Sequence, residues 1–237
     1  MQNNILDMAS GAPGDSTSPA SRVDEMIDRG LEARRNAARD EIQRLLAGTL
    51  ALIERTGHLD PKVTDILSEA GLSNQAFYRH FRSKHELLVA VLDEGIRGLA
   101  DYLGQRMGRA ETPIASIREW IRGLAAQAGD PDGAQASRPF ALARGRLAES
   151  FASEVALSAA RLTAPLRNAL EAAVDSGALP RAHPAEDAEL AYLLVMGWVE
   201  ARLIESRIPD EEEVERLESF VLSGLMRAPL DSVGSPS

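Results

Sequence analysis

The sequence predicts an all-α fold, from its composition and from the spacing of its apolar residues. Aromatic residues make up only 4% of the 237 residues, whereas Ala, Leu, Arg and Glu recur throughout. A β-sheet would favour alternating Val, Ile, Tyr and Thr instead. Apolar residues recur at helical intervals, and Pro and Gly separate these stretches. We therefore expect about nine helices, beginning with three short ones.

The N-terminal region has two parts that differ in composition. Residues 9–21 are rich in Ser, Gly and Pro and provide no core, which is typical of a disordered tail. The segment from Arg22 to Arg39 is polar and rich in arginine. It is either an extension of the first helix or a mobile arm, and we assign residues 1–35 as tail or arm.

An apolar stripe and capping residues predict the first two helices. Asp60 and Pro61 predict the start of the second helix, as its N-cap and its first helical residue. Gly71 would end that helix in the left-handed conformation. The first helix ends at Gly57, and its inward positions are Ile42, Leu45, Leu46, Thr49 and Ile53.

Capping residues also define the next two helices. Ser73 precedes a short helix whose buried positions are Phe77 and Phe81. Ser83 and Glu86 form the S-x-x-E capping box of a long fourth helix. Further helices are predicted at about 113–128, 138–162, 165–176, 186–206 and 210–227.

The second and third helices form a helix-turn-helix pattern, with the turn at Gly71. An α-helix fits the DNA major groove, where amides pair with adenine and arginine pairs with guanine. The formal net charge of −10 alone would argue against nucleic acid, but no acidic residue lies between Glu69 and Glu86. The outward positions of the third helix are Asn74, Gln75, Tyr78 and Arg79.

This segment resembles the TetR family of bacterial transcriptional regulators. The resemblance rests on Tyr78, His80, Phe81 and Lys84, with Ile66, Ala70, Gly71 and Ser73 before them and Leu87 after them. It implies contacts to base edges or the groove from Thr64, Asn74, Gln75, Ala76, Tyr78 and Arg79. It implies contacts to the DNA backbone from Tyr78, His80 and Lys84.

Two residues depart from the pattern of the family. Many members have threonine where this chain has Lys62 and Ala76. Lysine still reaches a phosphate, so we expect Lys62 to contact the DNA backbone. Ala76 offers only an apolar contact to a thymine methyl group, so the operator sequence of a relative should not be transferred to this chain.

The resemblance also implies the domain organisation and the mode of action. We expect a helix-turn-helix DNA-binding domain at residues 36–85, a helical ligand-binding and dimerisation domain at 86–228 and a disordered C-terminus at 229–237. The implied protein is a homodimeric repressor that binds double-stranded DNA at a palindromic operator. A small, apolar effector would change its DNA affinity. The apolar helix at 186–206 agrees with dimerisation, because it has more apolar surface than one subunit easily covers.

Three alternatives stay open from the sequence. As an arm, residues 22–39 would enter the minor groove, and as a helix extension they would be solvated. The alternative function is a helical partner-binding protein that has lost DNA binding. Several side chains of the second domain either line a ligand pocket or pack in the core. These are Tyr102, Met107, Trp120, Phe140, Phe151, Tyr192, Met196 and Trp198.

The sequence argues against several other classes of protein. Cysteine is absent, and the four histidines match no metal-ligand pattern. We find no P-loop, Rossmann glycine pattern or G-x-S-x-G motif, so we expect neither an enzyme nor a cofactor. No secretory signal is visible, and no apolar run reaches the ~20 residues of a membrane helix. We therefore expect a cytoplasmic protein with no membrane partner.

Overall fold

The computed structural model describes residues 22–142, 149 and 152–226. Within these residues the fold is all-α, as predicted, with nine helices and no strand. None of these helices is long and apolar enough to cross a membrane. The helices are α1 (Arg22–Thr56), α2 (Val63–Ala70), α3 (Asn74–His80), α4 (Lys84–Met107), α5 (Pro113–Gly129), α6 (Pro131–Leu142), α7 (Ala152–Asp175), α8 (Pro184–Glu205) and α9 (Glu211–Met226).

The chain divides into two compact units, Met1–Asp40 and Glu41–Ser237. The described part of the first unit is the N-terminal portion of α1, so residues 22–40 are helical. The first 21 residues, which include the predicted tail, lie outside the described residues, as do residues 227–237.

The second unit contains two apolar cores. The smaller core lies among α2, α3, the adjoining part of α1 and the start of α4, with Leu45, Ile66, Phe77 and Leu87 fully buried. The larger core joins the C-terminal half of α4 to α5 and α7–α9. Because α4 contributes to both cores, its two ends are fixed by different groups of helices.

The helix boundaries differ from the prediction where a proline was read as a break. Helix α7 continues through Pro165. Leu162 and Leu166 on either side are fully buried in the larger core. Their burial offsets the ~3 kcal/mol that an interior proline costs a helix. The predicted break at Pro165 was therefore wrong.

Two predicted helix starts were also wrong. Helix α2 begins at Val63, after Lys62, because Asp60 forms an ion pair with Lys84 instead of capping the helix. Helix α6 begins at Pro131, well before the predicted residue 138. Asp130 caps it, since its carboxylate accepts a hydrogen bond from the N–H of Gly133 at 2.8 Å.

Most of the side chains that the sequence offered as pocket or core residues belong to, or pack against, one of the two apolar cores. Trp120 is fully buried and donates its indole N–H to the carbonyl of Leu162 at 2.9 Å. Phe140 packs against the smaller core. Phe151 lies outside the described residues. Those that belong to or pack against the larger core are Met107, Trp120, Tyr192, Met196 and Trp198.

Candidate nucleic-acid interface

The turn between α2 and α3 has the geometry of a helix C-cap. Gly71 adopts φ 61° and ψ 40°, the left-handed conformation that glycine accepts without steric cost. The N–H of Leu72 donates to the carbonyl of Leu67 at 3.1 Å, and that of Gly71 donates to Ser68 at 3.3 Å. These bonds satisfy carbonyls at the end of α2 and turn the chain into α3.

Arg44 of α1 binds the backbone of this turn. Its guanidinium donates two hydrogen bonds to the carbonyl of Ala70, at 3.1 and 2.7 Å, and one to that of Gly71, at 2.9 Å. A cation at a helix C-terminus is also favoured by the helix dipole. Gly48 lies close beneath, because a Cβ there would be 3.1 Å from the nitrogen of Ala70. The helix-turn-helix thus packs closely against α1 and is bound to it by the hydrogen bonds of the Arg44 guanidinium.

Helix α3 has one buried face and one exposed face. Ser73 caps it by accepting a hydrogen bond from the N–H of Ala76 at 3.2 Å, as its position predicted. Phe77 is fully buried, and Tyr78 is 59% exposed with its ring at an edge-on 5.1 Å from that of Phe77. The exposed side chains of this helix are Asn74, Gln75, Tyr78 and Arg79.

Ala76 is placed differently from what we expected. Its side chain is only 4% exposed and belongs to the buried side of α3. A methyl group with so little exposed surface can make little contact with a thymine, so we exclude Ala76 from the DNA-binding interface. Ala76 lies four residues, or about one helical turn, before His80, whose side chain is also mostly buried, so both lie on the buried side of α3.

An acidic residue of α1 binds two basic residues of α3. Both carboxylate oxygens of Glu41 accept hydrogen bonds from Nη1 of Arg79, at 3.1 and 3.0 Å. Oε2 of Glu41 also lies 2.6 Å from Nε2 of His80. The hydrogen bond to His80 is the main cause that lowers the pKa of Glu41 below its usual value, with Arg79 adding to the effect. The His80 side chain is only 8% exposed, so it supports α3 from within.

The remaining predicted site residues surround α3. Lys62 and Thr64 are exposed at the start of α2, and the Thr64 hydroxyl donates to Oδ1 of Asp65 at 3.3 Å. Lys84, at the first position of α4, is partly exposed and paired with Asp60. Together with the exposed residues of α3, these side chains form a surface rich in amides and cations.

Sequence reasoning missed Glu41 and Arg44, and it assigned Asp60 as an N-cap and not as the partner of Lys84. Glu41 lies 38 residues before Arg79, and Arg44 lies 26 residues before Ala70, so no local spacing connects them. Each is an ordinary charged residue in its own segment. The contact exists only because the small core packs α1 against α2 and α3.

Comparison with known proteins gives matches in sequence. Residues 45–91 match the family model described as "Bacterial regulatory proteins, tetR family". The HTH-type transcriptional regulator EthR of Mycobacterium tuberculosis is 28% identical over 190 residues, which are 76% of this chain and 82% of EthR. An uncharacterized HTH-type transcriptional regulator in the lacX 3' region of Lactococcus lactis is 31% identical over 84 residues. That match covers 35% of this chain and less than half, 43%, of the Lactococcus protein.

Solved structures share the fold. The reduced form of Escherichia coli NemR has a TM-score of 0.64 and 20% identity, over 80% of this chain and 99% of NemR. A TetR transcription regulator from Haloarcula marismortui has the same TM-score, 0.64, with 17% identity, over 78% of this chain and 95% of that one. The segment at residues 45–91 therefore matches the tetR family of bacterial regulatory proteins, and the described chain shares the fold of solved TetR regulators.

Proposed function

We propose that this chain is a transcriptional repressor of the TetR family that binds a palindromic operator as a homodimer and releases it when a small, apolar molecule binds. The observation that carries the proposal is the exposed face of α3, which presents two amides, a tyrosine and an arginine. Phe77, on the opposite face, is fully buried and anchors the helix. We assign the DNA-binding domain to residues 36–85 and the sensor and dimerisation domain to residues 86–228.

The side chains of the interface have different roles in DNA binding. Asn74 and Gln75 pair with adenine edges and Arg79 with guanine, because these are the pairings that their donors and acceptors fit. Lys62 and Lys84 bind phosphates and fix the orientation of α3 in the groove. Thr64 and Tyr78 complete the surface with their hydroxyl groups. His80 and Ala76 support α3 from its buried side.

An apolar face on α8 and α9 supports the homodimer. Leu190, Leu193 and Phe220 are exposed there, Phe220 at 68%. Gly197 and Gly224 leave open space where a Cβ would lie, so another helix can approach closely. Two helices from each subunit would form a four-helix bundle that removes this apolar surface from water.

Arg202 on the same face also favours a partner subunit. Its guanidinium carbon lies 4.8 Å from the centre of the Trp198 ring. Its Nε is buried, and it has no hydrogen-bond partner within the described part of the chain. Nη2 of the same guanidinium lies 3.6 Å from Oε1 of Glu213. A buried donor without an acceptor is unfavourable by ~1–3 kcal/mol, so a shift of this side chain that brings Nε to an acceptor of a second copy would stabilise the assembly.

Helix α4 supports communication between effector and DNA. Leu87 and Val91 belong to the core of the helix-turn-helix, whereas Leu103 and Met107 belong to the larger core. Between them, Oδ1 of Asp93 accepts a hydrogen bond from Arg161 of α7 at 2.6 Å. An apolar molecule that separates helices of the larger core would move α4 and change the spacing of two recognition helices.

Salt-dependent DNA binding tests this proposal. We would measure fluorescence anisotropy with DNA from upstream of the gene for the full chain, Tyr78→Ala, Lys62→Gln and Arg167→Gln. Loss of one phosphate contact in Lys62→Gln should reduce the slope of log affinity against log salt by ~0.9. Arg167→Gln, an equal change of charge on α7, should leave the slope unchanged. Equal slopes for all four proteins would contradict the interface.

A helical partner-binding protein is the second candidate, and one observation favours it. Glu41 and Asp60 already pair with Arg79 and Lys84, which lowers the positive charge available to phosphates. DNA binding must break or share these pairs. In the same titration, a partner-binding protein would show weak DNA binding that Tyr78→Ala does not change.

A further inference from the structure

The N-terminal segment, residues 22–40, is an amphipathic helix whose apolar side is exposed. Met26 is 66% exposed, Ile27 is 53% exposed and Leu31 is also exposed. At 100° per residue these three side chains share one side of the helix with Val23. Large apolar side chains grouped on an exposed helix face are typical of a surface that another helix covers.

The apolar side changes in character along the segment. Its first half carries the large side chains, and its second half carries small residues on the same side. A Cβ at Gly30 would meet nothing within 4 Å, so the backbone is open to close approach there. The small residues of the second half are Ala33, Ala37 and Ala38, and Gly30 lies just before them, at the end of the first half.

The charges change in the same direction. Along one edge of the apolar side, the first half of the segment is acidic and the second half is basic. Asp28 and Arg35 are seven residues apart, which is almost two full turns of an α-helix. Their side chains therefore lie along the same edge of the apolar side. Asp24 shares the first half of this edge with Asp28, and Arg39 shares the second half with Arg35. The segment also carries Arg22 and Arg29 in its first half and Glu32 and Asp40 in its second half, outside this edge.

We propose that this segment pairs antiparallel with the same segment of a second copy. In that arrangement the large side chains of each copy pack over the small residues of the other. Along the charged edge of the apolar side, the acidic half of each copy also lies beside the basic half of the other, so that Asp28 of one copy faces Arg35 of the other. A parallel pair would place large beside large and like charge beside like charge.

Arg34 fits this arrangement although it lies within the apolar side. Its aliphatic stem covers apolar surface, while its guanidinium reaches the acidic half of the second copy. The pairing surface is distinct from the α8–α9 face. The two surfaces together would join homodimers into tetramers, and the N-terminal pairing alone would join two chains.

Sedimentation velocity of the full chain over a wide concentration range tests the pairing. Ile27→Glu should halve the largest assembly that forms, because a charge then lies in the centre of the apolar side. Asn36→Glu, the matched control on the charged side of the helix, should leave the mass unchanged. Equal masses for all three proteins at every concentration would overturn the proposal.

Charge exchange separates specific pairing from a general loss of solubility or fold. Asp28→Arg and Arg35→Asp should each weaken the association several-fold at low salt, since each places like charges opposite one another in both halves of the pair. A mixture of the two variants should associate as well as the original chain, as should the double variant. A mixture no better than its components would overturn the antiparallel arrangement.

Phe220→Glu distinguishes this pairing from the proposed α8–α9 homodimer. The Phe220→Glu variant, whose N-terminal segment is unchanged, should still form dimers. The double variant with Phe220→Glu and Ile27→Glu should be monomeric. Monomers at every concentration with the original segment would overturn the N-terminal pairing and leave the homodimer intact. Variants of Arg35 that weaken DNA binding without changing the mass would overturn it in favour of an arm that contacts DNA.

Discussion

Replacement of Gly71 by alanine should destabilise the protein and weaken DNA binding together. Gly71 adopts φ 61°, a conformation that costs a residue with a Cβ about 1–2 kcal/mol. The added Cβ would also lie 3.0 Å from Nη2 of Arg44, the atom that bonds the carbonyls of Ala70 and Gly71. Displacing that guanidinium should cost about 1 kcal/mol more.

Gly57→Ala is the matched control for this change. Gly57 also has a positive φ, 68°, but a Cβ there would meet nothing within 4 Å. It should therefore lose only the conformational part, about 1–2 kcal/mol. For a chain of this size, 1 kcal/mol corresponds to a Tm shift of about 2–4 °C, so the Tm shift of Gly71→Ala should exceed that of Gly57→Ala by about this amount.

Calorimetry and DNA anisotropy below both transitions measure the two effects. Gly71→Ala should lower Tm more than Gly57→Ala does, and it alone should weaken DNA binding, because the turn sets the angle of α3. Equal Tm shifts would refute the contribution assigned to Arg44. Unchanged DNA affinity in Gly71→Ala would refute the link between this turn and recognition.

Three further predictions concern the core, the cap of α3 and pH. Trp120→Phe should lower the free energy of unfolding by about 1–3 kcal/mol in urea titrations, because it leaves the buried carbonyl of Leu162 without its indole donor; an unchanged midpoint would contradict that role. Ser73→Ala should cost about 0.5–2 kcal/mol by the same assay, and Ser73→Asp should retain the cap. The hydrogen bond from Arg207 is the main cause that lowers the pKa of Glu213 from 4.5 to about 2. The stability that it contributes should be complete above pH 4.5 and be lost as the pH falls towards 2, and Glu213→Gln should flatten this dependence.

The elements defined by local signals were predictable from the sequence. Gly71 and Ser73 mark their helix ends with their own backbone or side-chain preference, and the structure agrees. The predicted helix at 113–128 is observed at Pro113–Gly129. By contrast, Pro165 was misread because burial of the flanking leucines outweighs the local preference of proline.

The candidate site was only partly predictable for the same reason. Helical spacing alone places Tyr78 and Arg79 on the exposed side of α3. The pairing of Glu41 with Arg79 and His80 depends on how α1 crosses α3, and the burial of Ala76 depends on the depth of that packing. Both are consequences of tertiary structure, which no single segment encodes.

Selection of bound fragments from the organism's genomic DNA tests directly whether the protein recognises DNA through α3. The full chain would be compared with a Gln75→Ala, Tyr78→Ala variant, and retained fragments would be sequenced. We expect enrichment of a palindrome with half-sites about 34–36 Å apart, or one DNA turn, and its loss in the variant. No enrichment by the original chain, or the same fragments from both proteins, would contradict recognition of DNA through α3.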